Sequence, residues 1–192
     1  MADNYYNKKN TVEEYIKLTK NVNGLNLIEK FTPYLPSNAN ILEIGSGPGS
    51  DWNILHQNFN ITGSDNSKEF LSYLYSKYPK GKFIELDAIT LNIDEKFNGI
   101  YANKVLQHLN HKELIKSIKR QFDILHPNGI ICVSFWEGEG SEIFKGLYVQ
   151  YHTKKSIKKY FEKYFDILIL ESYAEFEKDD SLLLIGKKKT QN

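Results

Sequence analysis

Three features of the 192-residue sequence predict an open, doubly wound α/β sheet, mostly parallel and closed by a C-terminal antiparallel hairpin. Short apolar runs alternate with segments of helical apolar spacing, the pattern of parallel strands joined by crossover helices. The first run, residues 41–44, ends in three glycines on alternate positions, Gly45, Gly47 and Gly49, where the backbone must bend sharply. The last two runs, 167–171 and 182–186, are separated by an acidic segment without helical spacing, so they pair antiparallel.

Each element follows from its own pattern. Val12, Tyr15, Ile16 and Thr19 are spaced for one helix, and Leu27, Ile28, Phe31, Tyr34 and Leu35 for a second that Pro36 ends. After the 41–44 strand, Pro48 suits the first turn of a helix reaching about Gln57. Residues 61–64 read as the second strand, and Phe70, Leu71, Leu74 and Tyr78 as the next helix, closed by Pro79 and Gly81. Strands at 83–86 and 99–102 follow, then a helix striped by Leu114, Ile115, Ile118, Phe122 and Leu125. Pro127, Asn128 and Gly129 predict a turn into a central strand at 130–136, rich in β-branched and aromatic residues. Ile157, Tyr160, Phe161 and Tyr164 mark the last helix.

Bulk properties narrow the function classes. Twenty-five basic and 24 acidic residues leave a formal charge of +1, so no global field draws the chain to nucleic acid or anionic membrane. The single cysteine, Cys132, excludes a disulfide framework and reads as a buried thiol. The N-terminus lacks the apolar core of a signal peptide, and no apolar stretch is long enough to span a bilayer. A cytoplasmic protein of one domain is expected over 1–192. No pattern sets an oligomeric state.

Spacing around the glycines separates three cofactor classes. A P-loop needs Gly-Lys-Ser/Thr after four intervening residues, and none is present. A dinucleotide fingerprint needs Gly-x-Gly-x-x-Gly, whereas here Gly49 comes one residue early and Ser50 stands in the sixth position. Glu43, Gly45, Gly47 and Gly49 instead resemble the Glu/Asp-x-Gly-x-Gly-x-Gly signature of class I S-adenosylmethionine-dependent methyltransferases of the small-molecule type. The likeness continues in Asp65, in Asp87 after the third strand, in the 101–109 stretch, and in Leu125-His126-Pro127-Asn128-Gly129 before the fifth strand.

That resemblance implies a seven-stranded Rossmann-like core at 39–192 beneath an N-terminal helical cap at 1–38. It implies S-adenosylmethionine as cofactor, S-adenosylhomocysteine as product and a small-molecule methyl acceptor as partner, without nucleic acid or membrane. By the same resemblance Glu43, Gly45, Ser46, Gly47 and Gly49 form the cofactor turn, and Asp65 with Asn66 meets the ribose hydroxyls. Asp87 takes the adenine amino group beside Ala88, and Asn103 and Val105 line the methionine end. Tyr15, with Tyr5 and Tyr6, belongs to a segment that folds over the cofactor. The ligand's chemistry agrees: a diol, an ammonium and a sulfonium without phosphate suit an acidic wall of Glu43, Asp65 and Asp87, which would repel a pyrophosphate.

Methyl transfer from a sulfonium is an in-line displacement in which positioning supplies most of the acceleration. His108 is the candidate general base, with a packing role as the alternative. Asp65 as a turn or helix-cap residue before Ser67, Asp87 as a surface-loop carboxylate, Asn103 as a strand-end cap and Tyr15 as a core residue are alternatives of the same kind. His111, His126 and Cys132 are scattered and lack paired-cysteine spacing, so no metal site is expected. The acidic 137–142 segment reads either as a lid selecting a cationic or amine acceptor or as a solvated loop. Competing functions are a protein or nucleic-acid methyltransferase, an NAD-binding oxidoreductase and a cofactor-binding module without chemistry. Against base amines, Asn103 is followed by Lys104, Val105 and Leu106 rather than by a Pro-Pro-aromatic sequence.

Overall fold

A computed structural model describes residues 5–190; the ends of the expected 1–192 span, residues 1–4 and 191–192, lie outside the described residues. Nine strands occur in chain order among the described residues: β1 (Asn40–Ile44), β2 (Asn60–Asp65), β3 (Lys82–Glu85), β4 (Phe97–Ala102), β5 (Leu125–Trp136), β6 (Ser141–Phe144), β7 (Leu147–Gln150), β8 (Phe165–Tyr173) and β9 (Ser181–Lys188). Seven of them form one sheet in the order β3-β2-β1-β4-β5-β9-β8. The strands from β3 to β5 pair in parallel, and β9 runs antiparallel between β5 and β8. The expected antiparallel pairing of the last two strands is therefore observed, with β9 wedged into the sheet. Strand order reverses between β1 and β4, which leaves a crevice at their carboxyl ends.

The helices are α1 (Lys9–Leu18), α2 (Leu25–Phe31), α3 (Ser50–Leu55), α4 (Lys68–Lys77), α5 (His111–Ile124) and α6 (Lys154–Phe161). Successive strand residues point to opposite faces, and both faces are covered. Ile41, Tyr101, Cys132 and Leu183 pack with Leu27 and Phe31 of α2, Trp52 and Leu55 of α3 and Leu71 and Leu74 of α4. Leu42, Ile100, Val133 and Leu184 pack on the other face with Leu114, Ile118 and Phe122 of α5 and Ile157 and Phe161 of α6. Burial on both sides explains why these strands read as continuous apolar runs. No helix among the described residues is long and apolar enough to cross a membrane.

Several details depart from the sequence reading. Helix α2 ends at Phe31 and passes into a 3-10 turn at Thr32–Tyr34 containing Pro33, so the break comes before Pro36. Helix α3 starts at Ser50, because Gly49 at its N-cap is left-handed, with φ of 75°. Leu125 belongs to β5 rather than to the α5 stripe, and Ile115 is 51% exposed because it lies one helical step from Leu114. The turn at Pro127, Asn128 and Gly129 is a bulge inside β5: Phe97 pairs with Leu125, but Gly99 pairs with Ile130, and Asn128 has φ of 63°.

The β6–β7 hairpin was not expected. Its two-residue turn, Lys145-Gly146, has positive φ at both positions, the geometry that matches the twist of paired strands. Helix α5 begins with a capping box in which Asn110 accepts from the Lys112 and Glu113 N–H groups and Glu113 accepts from the Asn110 N–H. Asn110→Ala should lower stability by about 1 kcal/mol, read as a lower urea midpoint with an unchanged slope.

Candidate functional site

The site begins at the glycine turn. Gly45, Gly47 and Gly49 all have positive φ, at 68°, 49° and 75°, a conformation that glycine adopts without steric penalty. A Cβ on Gly45 would stand 2.5 Å from Val105, whereas one on Gly47 would meet no atom within 4 Å. Gly45 therefore permits close packing, and Gly47 bares the backbone. Beneath the turn, Glu43 is 2% exposed and accepts a 2.5 Å hydrogen bond from Ser46 Oγ. Ser46 Oγ in turn accepts from the Ser64 N–H, and Ser64 Oγ donates to the Glu43 carbonyl. Burial, reinforced by the nearby Asp51 charge, pushes the Glu43 carboxyl up to about 8.

Asp51, in the first turn of α3, is a second buried carboxylate. Its Oδ1 accepts from the Gly24 N–H at 2.6 Å, while Oδ2 accepts from Tyr101 Oη at 2.8 Å and Asn103 Nδ2 at 3.0 Å. These bonds tie the α1–α2 connection to the carboxyl end of β4. A Cβ on Gly24 would fall against the Tyr101 hydroxyl, so this approach requires glycine.

Asp65 and Asp87 stand at the ends of β2 and just beyond β3. Asp65 accepts from the Gly47 N–H through Oδ2 and from the Ser67 N–H through Oδ1, each at 2.9 Å. Burial raises its carboxyl, and these backbone donors, with that of Asn66, oppose the rise. Asp87 Oδ1 accepts from the Ile89 and Thr90 N–H groups and from Thr90 Oγ1. All three bonds go to one oxygen and so leave Oδ2 clear of them. Ser117 of α5 donates to the Ala88 carbonyl and holds that loop against the helix.

The segment after β4 forms the opposite wall. Asn103 Oδ1 accepts from Ser134 Oγ at 2.5 Å, so the Asn103 amide is held at both ends. The His108 Nδ1 lies 2.8 Å from the Tyr148 carbonyl on β7. Burial lowers the His108 pKa, and a carbonyl can only accept. The neutral ring therefore carries its proton on Nδ1, and Nε2 keeps a lone pair. Above this wall the Tyr6 ring packs edge-on to Tyr15 and tilted on Phe70, with His108 6.4 Å away. The Tyr6 carbonyl accepts from Ser67 Oγ, which pins the N-terminal segment to the start of α4.

These groups enclose a cavity of about 220 Å³ at the crevice. Gly45, Gly47, Asp65, Asn66, Asp87, Ala88, Asn103, Val105, His108 and Tyr15 all line it. Glu43, Ser46 and Gly49 do not: Glu43 and Ser46 are buried and bonded to each other, and Gly49 caps α3. Tyr6 lines the cavity as well, while Tyr5 packs edge-on to Tyr6. His111 meets Tyr160 rather than His108, and the described residues contain no cluster of three or more His, Cys, Asp or Glu side chains placed to hold a metal.

Asp51, Lys104, which also lines the cavity, and Tyr148 were not expected at the site. Asp51 gave a signal, a carboxylate opening the helix after the glycine turn. Tyr148 gave none, because its contribution is a backbone carbonyl. The 137–142 segment does not run as a free loop: Glu137 bridges to His152, Ser141 begins β6, and Tyr151 Oη donates to Glu142 at 2.6 Å.

Residues 41–129 match the family described as "Methyltransferase domain". Over 104 residues, 52% of this chain, the sequence is 32% identical to trans-aconitate 2-methyltransferase of Variovorax paradoxus (strain S110). It spans only 39% of that relative's length. Among solved structures it is similar to an S-adenosylmethionine-dependent methyltransferase from Clostridium acetobutylicum ATCC 824, with a TM-score of 0.75 at 17% identity, covering 93% of this chain and 97% of that one. It is also similar to the Burkholderia thailandensis 1,6-didemethyltoxoflavin-N1-methyltransferase bound to 1,6-didemethyltoxoflavin and S-adenosylhomocysteine. There the TM-score is 0.73 at 17% identity, over 86% and 78% of the two chains. The shared fold is the Rossmann-like methyltransferase fold.

Glu43 links the site to pH. Its folded pKa of about 8 lies above its ordinary 4.5, so between these values the native state holds a proton that the unfolded state has released. Stability from this group is present below about 4.5 and is lost as pH rises through 8. The melting temperature should fall between pH 6 and pH 9, and Glu43→Gln, which still accepts from Ser46, should flatten that fall.

Proposed function

We propose, on the premise that residues 41–129 form a methyltransferase domain, that this chain is a single-domain enzyme with a cap at 1–38 and a core at 39–192. It transfers a methyl group from S-adenosylmethionine to a small-molecule acceptor and releases S-adenosylhomocysteine. The observation that carries this reading is the convergence of Gly47, Asp65, Asp87, Asn103 and His108 on one cavity at the β1–β4 crevice. The residues present fit the cofactor. The open space over Gly47 admits a ligand against the backbone, and Asp65, Asp87 and Glu113 in the lining suit a ligand bearing two positive charges. The glycine turn holds no lysine to grip a phosphate.

S-adenosylmethionine, when bound, supplies a methyl group already activated on a sulfonium. The chain's own task is then to orient, desolvate and move one proton. A carboxylate can accept about four hydrogen bonds, so Asp65, which already takes the Gly47, Ser67 and Asn66 N–H groups, keeps capacity for a ribose hydroxyl. Asp87 Oδ2 is the acceptor for the adenine amino group, beside the Ala88 backbone. Asn103 and Val105 border the methionine end, and Tyr6, Tyr15 and Phe70 exclude water and offer ring faces to a cation. His108 Nε2 takes the proton that the acceptor gives up, while the Tyr148 carbonyl steadies the imidazolium through Nδ1.

A small-molecule acceptor is supported by the relative named for trans-aconitate and the structural neighbour holding 1,6-didemethyltoxoflavin. Charge favours a neutral or cationic acceptor over an anion such as trans-aconitate. The lining carries three carboxylates, and its one lysine, Lys104, turns its ammonium toward Phe135 and Ser181.

Two variants separate binding from chemistry. Asp65→Ala should weaken S-adenosylhomocysteine binding by about tenfold or more, roughly 1.4 kcal/mol, in a calorimetric titration. His108→Ala should bind it as the wild type does, while turnover with a productive acceptor falls by about 10²-fold or more. Full turnover by His108→Ala would remove the base from the mechanism.

A further inference from the structure

We propose that Lys104 is a positioning residue for methyl transfer, tethered through both its amide and its ammonium so that it holds the 103–108 segment in the shape the cofactor needs. The inference rests on the cofactor reading above. Lys104 lies between two cavity-lining residues, Asn103 and Val105, with φ of 58°. For a residue with a Cβ this left-handed conformation is unfavourable, and it persists only where the surroundings enforce it.

The surroundings do so from two sides. The Lys104 N–H donates to Ser134 Oγ at 3.0 Å, and Ser134 Oγ donates to Asn103 Oδ1. Asn103 Nδ2 then donates to Asp51 Oδ2, whose other oxygen takes the Gly24 N–H. At the far end of the side chain, Nζ donates to the Phe135 carbonyl at 2.9 Å and to Ser181 Oγ at 2.6 Å. It also stands 3.5 Å from the Trp136 ring centroid, within cation–π range. Ser181 Oγ donates to Asp180 Oδ1, and Asp180 gathers the N–H groups of Glu175, Phe176 and Glu177. An unbroken hydrogen-bonded chain therefore crosses the carboxyl edge of the sheet, from Gly24 beside α2 to the β8–β9 connection. Lys104 stands in its middle.

The charged and titratable groups around this ammonium are few. The β8–β9 connection presents Glu175 and Asp180, and β8 presents the Tyr173 ring at 5.4 Å. Strand β5 offers only the Phe135 carbonyl and the Trp136 ring. Burial lowers the Lys104 pKa to about 7, against the two carboxylates, which raise it. The tether is thus sensitive to pH near neutrality.

The test compares wild type with Lys104→Met, which keeps the apolar stem, and Lys104→Arg, which keeps a cation over Trp136. Calorimetric titration with S-adenosylhomocysteine should show about tenfold weaker binding for Lys104→Met and a loss under about threefold for Lys104→Arg. In a Trp52→Phe background, which removes the tryptophan stacked on His56, emission from Trp136 should change with a midpoint near pH 7 and lose that step when Lys104→Met is added. Should Lys104→Met fail to fold, Ser181→Ala removes one Nζ acceptor alone and should weaken binding by about threefold. Wild-type affinity in Lys104→Met, or in Ser181→Ala if that variant must stand in, would overturn the proposal. Failure of the wild type itself to bind would refute the cofactor reading instead, and the emission comparison would still judge the tether.

Discussion

The site depends on one backbone constraint: three left-handed glycines that reverse the chain between β1 and α3 while baring the main chain at Gly47. No residue with a Cβ occupies such a stretch without strain, and the reversal is held from below by buried polar side chains. Glu43, Ser46 and Ser64 close on one another, and Asp65 reaches across to the Gly47 N–H. The turn is thereby fixed to both β1 and β2, and α3 leaves it in a direction that places Asp51 under the end of β4.

Around this turn the carboxylates divide by depth. Glu43 and Asp51 are buried and spend their oxygens on the protein itself, on Ser46 in one case and on Gly24, Tyr101 and Asn103 in the other. Asp65 and Asp87 stand at the cavity with capacity left over. Two carboxylates build the frame and two face the ligand space, although all four are of one chemical class. Burial, with the Asp51 charge beside it, raises the Glu43 carboxyl, which disfavours a second negative charge in the frame.

The strands, crossover helices and final antiparallel pair were legible because each leaves a periodic apolar trace, and residues 41–44 and 130–136 are buried on both faces. The cofactor wall was legible because Gly45, Gly47, Asp65 and Asp87 sit at strand ends, where backbone geometry and side-chain chemistry coincide. What escaped was long-range. Asp51 matters through Gly24 and Asn103, partners far away in sequence, and Tyr148 through a carbonyl that every residue possesses. The β6–β7 hairpin escaped because Ile143 and Phe144 are exposed at 67% and 57%, so its strands carry no clean alternation. The Lys145-Gly146 pair was its one local sign.

The central claim is that the crevice accepts a phosphate-free, cationic methyl donor. The most direct measurement is a pair of calorimetric titrations of the full chain, one with S-adenosylhomocysteine and one with NAD. Saturable one-to-one binding of S-adenosylhomocysteine at micromolar affinity, with no binding heat from NAD, is expected. Tight NAD binding with no response to S-adenosylhomocysteine would contradict it.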